Sequence, residues 1–395
     1  MLIQPPPSPG PHTTSPARIR PVRALMSMPC ADVGVGNTCR SLMRAAASLG
    51  HEVDLHTSRS DGRAEAGFDL HSFITGPFAR LPHRLTRRFS VPRAHRAYLS
   101  VLRPGDIAYL WPSVPWRIFA ELRARDMIIV TEAINTLMRH AKPILDAEYD
   151  RLGLPPTHRI TDARIADEEE RLALTDAIFS PSPATDRSLS SLGGALRILP
   201  ASYGTSLPHT VRLCPNKPAA APVRFLFAGL SCVRKGLQDL LEAWRDVPAN
   251  AHLRIVGLRG RELQRLYRDV LQMPNVSASG FMADMAAEYA AADVFVLPSL
   301  EEGDPLVTYE AAAAGLPILA SPFGAGRIGA DTGAVVTFDT RDIGQLRDRI
   351  AAFTNDVDLR RHWGERAFAA AQSYGWTDVA ERRFSALGAT FGGSA

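Results

Sequence analysis

The sequence predicts an α/β protein of two similar-sized domains, each a parallel sheet with helices on both faces, and three observations carry that prediction. Short apolar runs alternate with stretches of helical periodicity, the order that builds strand–helix–strand units, whose parallel strands need a helical crossover. An aperiodic segment over 201–223, rich in Ser, Gly, Pro and Ala, interrupts the rhythm, which restarts after it. The length of 395 residues corresponds to two or three domains at roughly 150 residues each.

Taken in order, residues 1–20 hold six prolines with Ser, Thr and Gly. That composition buries too little apolar surface to offset its ordering entropy, so a disordered tail is expected there. Residues 23–28 form an apolar strand closed by Pro29, and the Gly34-Val-Gly36-Asn37 segment reads as a turn. Leu42, Ala45, Ala46 and Leu49 then recur at helical spacing, Gly50 closes the helix, and 51–57 resumes as a strand. Strands follow at 107–111 and 127–131, and a helix over 161–176 leads into another at 177–181. These make an N-terminal domain of 21–205, followed by a linker over 206–222.

Beyond the linker the apolar runs lie at 224–230, 252–257, 276–280, 294–298, 316–321 and 334–338, with helical patterns between them such as Leu237, Leu240, Leu241 and Trp244. They make a C-terminal domain of 223–375. A last helix over 376–395 is expected to pack back on the N-terminal domain, with Trp376 in core or interdomain packing. In such sheets a ligand binds at the carboxyl ends of the strands, here the cleft between the domains.

Apolar residues at 46% and charged residues at 22% exclude a disordered, coiled-coil or collagen-like chain. No run approaches the ~18 apolar residues of a membrane-spanning helix, and the first twenty residues lack a secretion-signal pattern, so a cytosolic location is expected. Cys30, Cys39, Cys214 and Cys232 are too few and too irregular for a disulfide framework or a zinc site, and are expected reduced. A net charge of +4 is a weak field over this length, which argues against a nucleic-acid partner. Residues 80–96 concentrate Arg80, His83, Arg84, Arg87, Arg88, Arg93, His95 and Arg96, with Leu81, Leu85, Phe89 and Val91 between them. This stretch suits an anionic lipid surface or an anionic acceptor, and equally a solvated helix interrupted by Pro82 and Pro92.

The densest chemical signal is Pro298-Ser-Leu-Glu-Glu-Gly-Asp-Pro-Leu-Val-Thr-Tyr-Glu310-Ala-Ala-Ala-Ala-Gly-Leu-Pro317. It reads as a strand end, a polar turn carrying Glu301 and Glu302, and a helix with Pro305 in its first turn and Gly315 just past its end. Such a helix start offers free N–H groups and partial positive charge to a phosphate. Glu310, one turn beyond Leu306, can accept hydrogen bonds from ribose hydroxyls. A second signal, Gly229-Leu-Ser-Cys-Val-Arg234-Lys235-Gly236, is a strand-to-helix turn whose cations would face that helix start and neutralise a diphosphate. On their own, Arg234 and Lys235 read as solvated loop charges; their position at the carboxyl end of a strand is what favours the functional reading.

With these residues in view, the half from 223 to 376 resembles the donor-binding domain of the retaining, metal-independent glycosyltransferases of family 4, or group 1. These have the GT-B fold of two facing Rossmann-like domains. Glu302 and Glu310, separated by seven residues, match the family's paired-glutamate motif, and Ala314-Gly-Leu-Pro317 matches its continuation. The Arg-Lys-Gly turn with Leu-Leu-Glu-Ala-Trp after it, Gly280 ahead of 283–293, and Pro298-Ser299 fall in the family's order. In the first half the likeness is confined to residues 34–37, 175–182 and Tyr203-Gly204.

The resemblance implies a nucleoside-diphosphate sugar as co-substrate, with no cofactor and no metal. Arg234 and Lys235 would bind the diphosphate, Glu310 the ribose and Glu302 the transferred sugar. The backbone of Gly303, Asp304, Pro305 and Leu306 would surround the phosphates, and the base would rest near Gly257 and Phe281. Gly34, Gly36 and Asn37 would let the N-terminal domain approach sugar and acceptor, a hydroxyl on a glycan, a lipid-linked group or a small molecule. Glycan or glycolipid biosynthesis follows at class level, in the cytoplasm and at the inner membrane face if residues 80–96 touch lipid.

Three departures stand out. Leu230 takes a position where many members carry arginine, Pro305 one where many carry glycine, and no histidine aligns after the central N-terminal strand. Glu132 is the first candidate there, alongside Glu302, Lys235 and Arg234 as catalytic residues, and His140 the second. A GT-B protein that only binds a nucleotide or a partner is the alternative. A dinucleotide-binding oxidoreductase is a further one, since Gly34-Val-Gly36 with Asp54 downstream resembles the start of that fingerprint, but Cys39 replaces its third glycine. The run Glu168, Glu169, Glu170 points around a helix and reads as a solvated face.

Overall fold

The computed structural model describes residues 2–3, 19–31, 34–60, 65, 67–75, 78, 81–207, 211–212, 221–230, 233–282 and 284–392. β1 (Leu2–Ile3) forms a two-residue antiparallel ladder with a strand far along the chain. The first large sheet then contains β2 (Val22–Met26), β3 (Val53–Thr57), β4 (Asp69–Ser72), β5 (Ile107–Leu110), β6 (Ile128–Glu132), β7 (Ala177–Ser180) and β8 (Arg197–Pro200). All its pairings are parallel, in the order β4-β3-β2-β5-β6-β7-β8. β9 (Val211–Arg212) is the partner of β1.

The second sheet contains β10 (Val223–Ala228), β11 (Ala251–Val256), β12 (Val276–Ser279), β13 (Val294–Leu297), β14 (Ile318–Ala320) and β15 (Val336–Thr337), again all parallel, in the order β12-β11-β10-β13-β14-β15. The fold is thus two parallel-sheet α/β domains, as the alternating runs predict. Central strands such as β5, β7 and β13 are buried at every residue, which is why they appear as uninterrupted apolar runs. In each sheet the chain winds outward from one strand and then restarts on its other side: at β2/β5 in the first, at β10/β13 in the second. Crevices at the carboxyl ends of such reversal points are where these sheets bind ligands.

The two sets of carboxyl ends face each other. The loop after β6 meets the segment after β13, where Thr136 hydrogen-bonds to Glu301. At the end of β7, the Ser180 and Pro181 carbonyls accept from Arg327, which follows β14. The helix Trp376–Phe391 crosses back onto the first sheet, where Val379, Ala380, Phe384 and Leu387 join its core beside Val22, Ala24 and Tyr109.

Several local expectations change. Residues 34–37 are the first turn of the helix Gly34–Ser48 and not a free turn before it. Gly36 packs against Ala31, and a Cβ there would lie 2.6 Å from the Ala31 nitrogen. The basic helix runs His83–Val101 without a break at Pro92. The carbonyl that Pro92 leaves unbonded belongs to exposed Arg88, where water can satisfy it. Edge strands β4 and β8 have no counterpart in the apolar runs because their residues are half polar or half exposed.

The tail expected over 1–20 and the linker over 206–222 lie largely outside the described residues. Of the tail, Ile19 packs against the last helix at Gly388, and Arg20 donates to the Phe391 carbonyl at 3.0 Å. Cys30 and Cys39 are buried thiols, and Cys214 and Cys232 lie outside the described residues. No helix among the described residues is long and apolar enough to cross a membrane.

Candidate active site

The reversal point of the second sheet gathers the charged motifs. β10 ends at Ala228, the chain turns at Gly229 (φ +150°), and a single turn of 3₁₀ helix, Val233–Lys235, leads to Gly236 at φ +70°. That left-handed residue must be glycine, since a Cβ would lie 1.8 Å from the Pro298 carbonyl oxygen. The close approach presses the turn onto the end of β13, and the Leu300 amide donates to the Arg234 carbonyl at 2.8 Å.

The side chains follow from this contact. Arg234 forms an ion pair with Glu301, and Lys235 Nζ sits 2.5 Å from Glu302 Oε1. Both glutamates are buried and both cations mostly so. Burial pushes the Glu301 carboxyl above its ordinary range, opposed by Arg234 and by Thr136. Each of the two cations thus already faces a carboxylate of the segment after β13. An arriving phosphate must exchange with Glu301 and Glu302, not simply fill an electropositive hole.

Beside them begins the helix Leu306–Ala313, with Pro305 as the extended residue that caps it rather than a residue of its first turn. Gly303 lies under the loop after β6, where a Cβ would be 2.1 Å from the Ile134 carbonyl oxygen. The side chain of Asp304 is engaged within the protein. It is fully buried and accepts from the Tyr309 hydroxyl (2.6 Å), the Arg327 amide (2.9 Å) and the Tyr203 amide (3.2 Å). Burial raises its pKa to about 7. Its side chain therefore ties the helix start to its surroundings and is not presented to a ligand.

Glu310 lies on that helix, and its Oε2 accepts from the Tyr289 hydroxyl at 2.7 Å, which fixes the carboxylate. Burial raises its pKa, and the Tyr289 bond opposes the shift. Gly257, at the end of β11, is packed against the Gly229 carbonyl so closely that a Cβ would lie 2.3 Å away. Phe281 is 52% exposed, a free ring beyond the end of β12.

Gly34, Gly36 and Asn37 begin the helix after β2, at the reversal point of the first sheet. The N-terminal candidates after β6 need correction. Glu132 is enclosed, with both carboxylate oxygens 3.0 Å from Arg383 Nη1 and a hydrogen bond from the Tyr109 hydroxyl. It is the counter-ion of the last helix, not a group presented to sugar or acceptor. His140 is half-buried and shares a hydrogen bond with Ser191 Oγ at 3.0 Å. The oxidoreductase reading fails on position: Asp54 is near the start of β3 and paired to Arg23 at 3.0 Å, whereas a ribose-binding acid belongs at a strand's carboxyl end.

Thr136, absent from the sequence candidates, is the first-domain group that meets the cluster, donating its amide (3.0 Å) and hydroxyl (2.7 Å) to Glu301. Its place in the loop following a central strand was the available signal. Next to it a cavity of about 500 Å³ is lined by Asn135, Thr136, His158, Arg164 and Arg171 of the first domain and by Arg234 of the second. A buried cation–carboxylate cluster, a helix start and an adjoining polar cavity can hold an anionic leaving group beside a polar acceptor.

The family described as Glycosyl transferases group 1 matches residues 222–356. A D-inositol 3-phosphate glycosyltransferase of Paenarthrobacter aurescens (strain TC1) is 32% identical over an alignment of 388 residues that covers 88% of this chain and 90% of the relative. The sucrose-phosphate synthase of Thermosynechococcus elongatus superposes with a TM-score of 0.70 at 21% identity, covering 92% of this chain and 97% of that one. Anabaena Alr3699/HepE, solved in complex with UDP and glucose, superposes with a TM-score of 0.62 at 15% identity, covering 92% and 98%. These two structures share the fold of facing parallel-sheet domains.

Proposed function

The chain belongs to the group 1 glycosyl transferases and is a glycosyltransferase; from that premise we propose that it moves a sugar from a nucleoside diphosphate to a hydroxyl acceptor, with retention at the anomeric carbon and no metal ion. The observation that carries the reading is the pairing of Arg234 and Lys235 with Glu301 and Glu302 beside the helix start at Leu306. The donor diphosphate would displace the glutamates from the two cations, and Glu302, so released, would accept hydrogen bonds from the sugar. Cations and helix-start amides then supply the charge neutralisation that a metal supplies elsewhere. Glu310, held by Tyr289, would take the ribose hydroxyls, and Phe281 would lie against the base.

In the step itself the bond between the anomeric carbon and the leaving phosphate oxygen breaks. The acceptor oxygen bonds to that carbon on the same face, and its proton passes to the departing phosphate. No protein base is required, which fits the enclosure of Glu132. The cavity beside Thr136 would hold the acceptor. The Paenarthrobacter relative is named for D-inositol 3-phosphate, and Arg164 and Arg171 on the cavity wall suit an acceptor of that phosphorylated class. Glycan or glycolipid assembly in the cytoplasm is the class-level setting. The helix His83–Val101, with Leu85 and Phe89 exposed among arginines, would rest on anionic lipid.

Thermal unfolding with UDP, GDP, ADP and NAD tests the reading, because a ligand bound only by the native state raises the melting temperature. One nucleoside diphosphate is expected to stabilise the protein, and Lys235→Ala to abolish the effect. Stabilisation by NAD with none from the diphosphates would overturn it.

A further inference from the structure

Away from the cleft, the outer edge of the first sheet holds a cluster that the transfer reaction does not use. β3 and β4 pair in parallel with His56 opposite His71 and Asp54 two residues before His56. Alternation along a strand puts residues 54 and 56 on one face, and register puts residue 71 on the same face. One ligand atom from each of the three lies within 4.8 Å of the other two. His56 is 1% exposed, yet neither ring nitrogen has a hydrogen-bond partner, and Asp54 Oδ1 has none either. Buried polar atoms are nearly always bonded, so three idle ones gathered at one place call for an occupant.

We propose that Asp54, His56 and His71 bind a divalent transition-metal ion of the zinc class. Asp54 is set up to ligate through one oxygen: Arg23 Nη1 holds Oδ2 at 3.0 Å, leaving Oδ1 turned to the imidazoles, 3.8 Å from His56 Nε2. Such outer hydrogen bonds orient ligating carboxylates. The positive charge of Arg23 is itself met by Glu52 (2.6 Å) and Asp106 (3.4 Å), which blunts its repulsion of an ion. Tyr98 closes the inner side, edge-on to His56 with ring centroids 5.6 Å apart.

The rings of His56 and His71 stack with centroids 4.4 Å apart. One nitrogen of each ring and a carboxylate oxygen of Asp54 lie within 4.8 Å of one another, close enough to share one ion. His71 is exposed and provides the way in, leaving the fourth position to water. Two imidazoles and one carboxylate favour Zn²⁺, Co²⁺ or Ni²⁺ over the oxygen-seeking Mg²⁺ and Ca²⁺. The ion would pin the short edge strand β4 to β3, a structural role separate from sugar transfer.

The test uses the untagged full-length protein, chelator-treated and titrated with Zn²⁺ by calorimetry, with Co²⁺ as the spectroscopic probe. One equivalent is expected to bind, to raise the melting temperature, and to give the visible absorption of Co²⁺ bound by nitrogen and oxygen; Mg²⁺ is expected to do none of this. His71→Ala, at an exposed position that leaves the fold intact by circular dichroism, should weaken Zn²⁺ binding at least about tenfold and remove the melting shift. No Zn²⁺ binding by the wild type, equal binding by His71→Ala, or an equal response to Mg²⁺ would each overturn the proposal.

Discussion

Glu301 Oε1 accepts both the amide and the hydroxyl of Thr136, at 3.0 and 2.7 Å, from a residue 165 positions earlier in the chain and in the other domain. The same carboxylate pairs through Oε2 with Arg234, so one buried side chain joins the contact between the domains to a cation proposed to meet the diphosphate. Thr136→Val removes the hydroxyl donor from this bridge. A hydrogen bond to a charged group contributes about 1.5–3 kcal/mol, so turnover is expected to fall about tenfold or more through weaker closure. Steady-state kinetics give the answer, and unchanged turnover would show that the bond carries no closure energy.

Substitutions in the charged cluster should divide by role. Lys235→Ala and Glu310→Ala are expected to weaken donor binding, with kcat/KM falling by about 10²–10³ for Lys235→Ala, as on loss of a preorganised donor to developing charge. Glu302→Gln keeps the shape but gives up the charge, and should lower turnover more than affinity. Donor titrations beside initial rates separate the two effects, and wild-type values in all three variants would dismiss the site.

Arg383 is 1% exposed, and each of its guanidinium nitrogens is bonded, to Glu132 or to the Ala201 and Ser202 carbonyls. Arg383→Met leaves the Glu132 charge buried without its partner and should destabilise the protein by about 3–5 kcal/mol. Adding Glu132→Gln removes that charge and should restore much of the loss. Urea unfolding of the single and double variants measures both, and simple additivity would argue against the pair.

Asp239 has a pKa of about 7, raised by burial and by the charge of Glu148, against the pull of Arg151 and Arg341. The unfolded aspartate gives up its proton near 3.8 while the native one retains it, so this group's contribution to stability falls as pH rises from about 4 to about 7. Asp239→Asn lacks that slope. Relative to wild type, the variant should gain on the order of 2–3 kcal/mol between pH 5 and pH 8, measured by denaturant unfolding at each pH. Parallel profiles would refute the raised value.

The central strands and the charged turns are legible in the sequence because their causes are local. A strand buried on both faces must be apolar throughout, as β5 and β13 are, and the spacing from Leu306 to Glu310 sets one helical turn. Edge strand β4, Asp-Leu-His-Ser, carries no such mark. Glu132 misleads for a different reason: a carboxylate at the end of a central strand suits a ligand contact, and only packing reveals that Arg383, 251 residues later, lies over it. The side-chain role of Asp304 is hidden in the same way, since its partners Tyr203 and Arg327 come from distant segments. Thr136 offers no local signal beyond its place after a strand.

The helix Trp376–Phe391 also sets a constraint on biogenesis. During synthesis the strands β2 to β8 leave the ribosome long before the helix that covers them, and the entire second sheet is made in between. Until then Glu132 has no guanidinium, and the apolar surface around Tyr109 and Phe179 has no lid. The core of the first lobe is completed only after the second lobe has been made, unlike domains that fold in order as they emerge, and nascent chains paused before residue 376 should depend on chaperones.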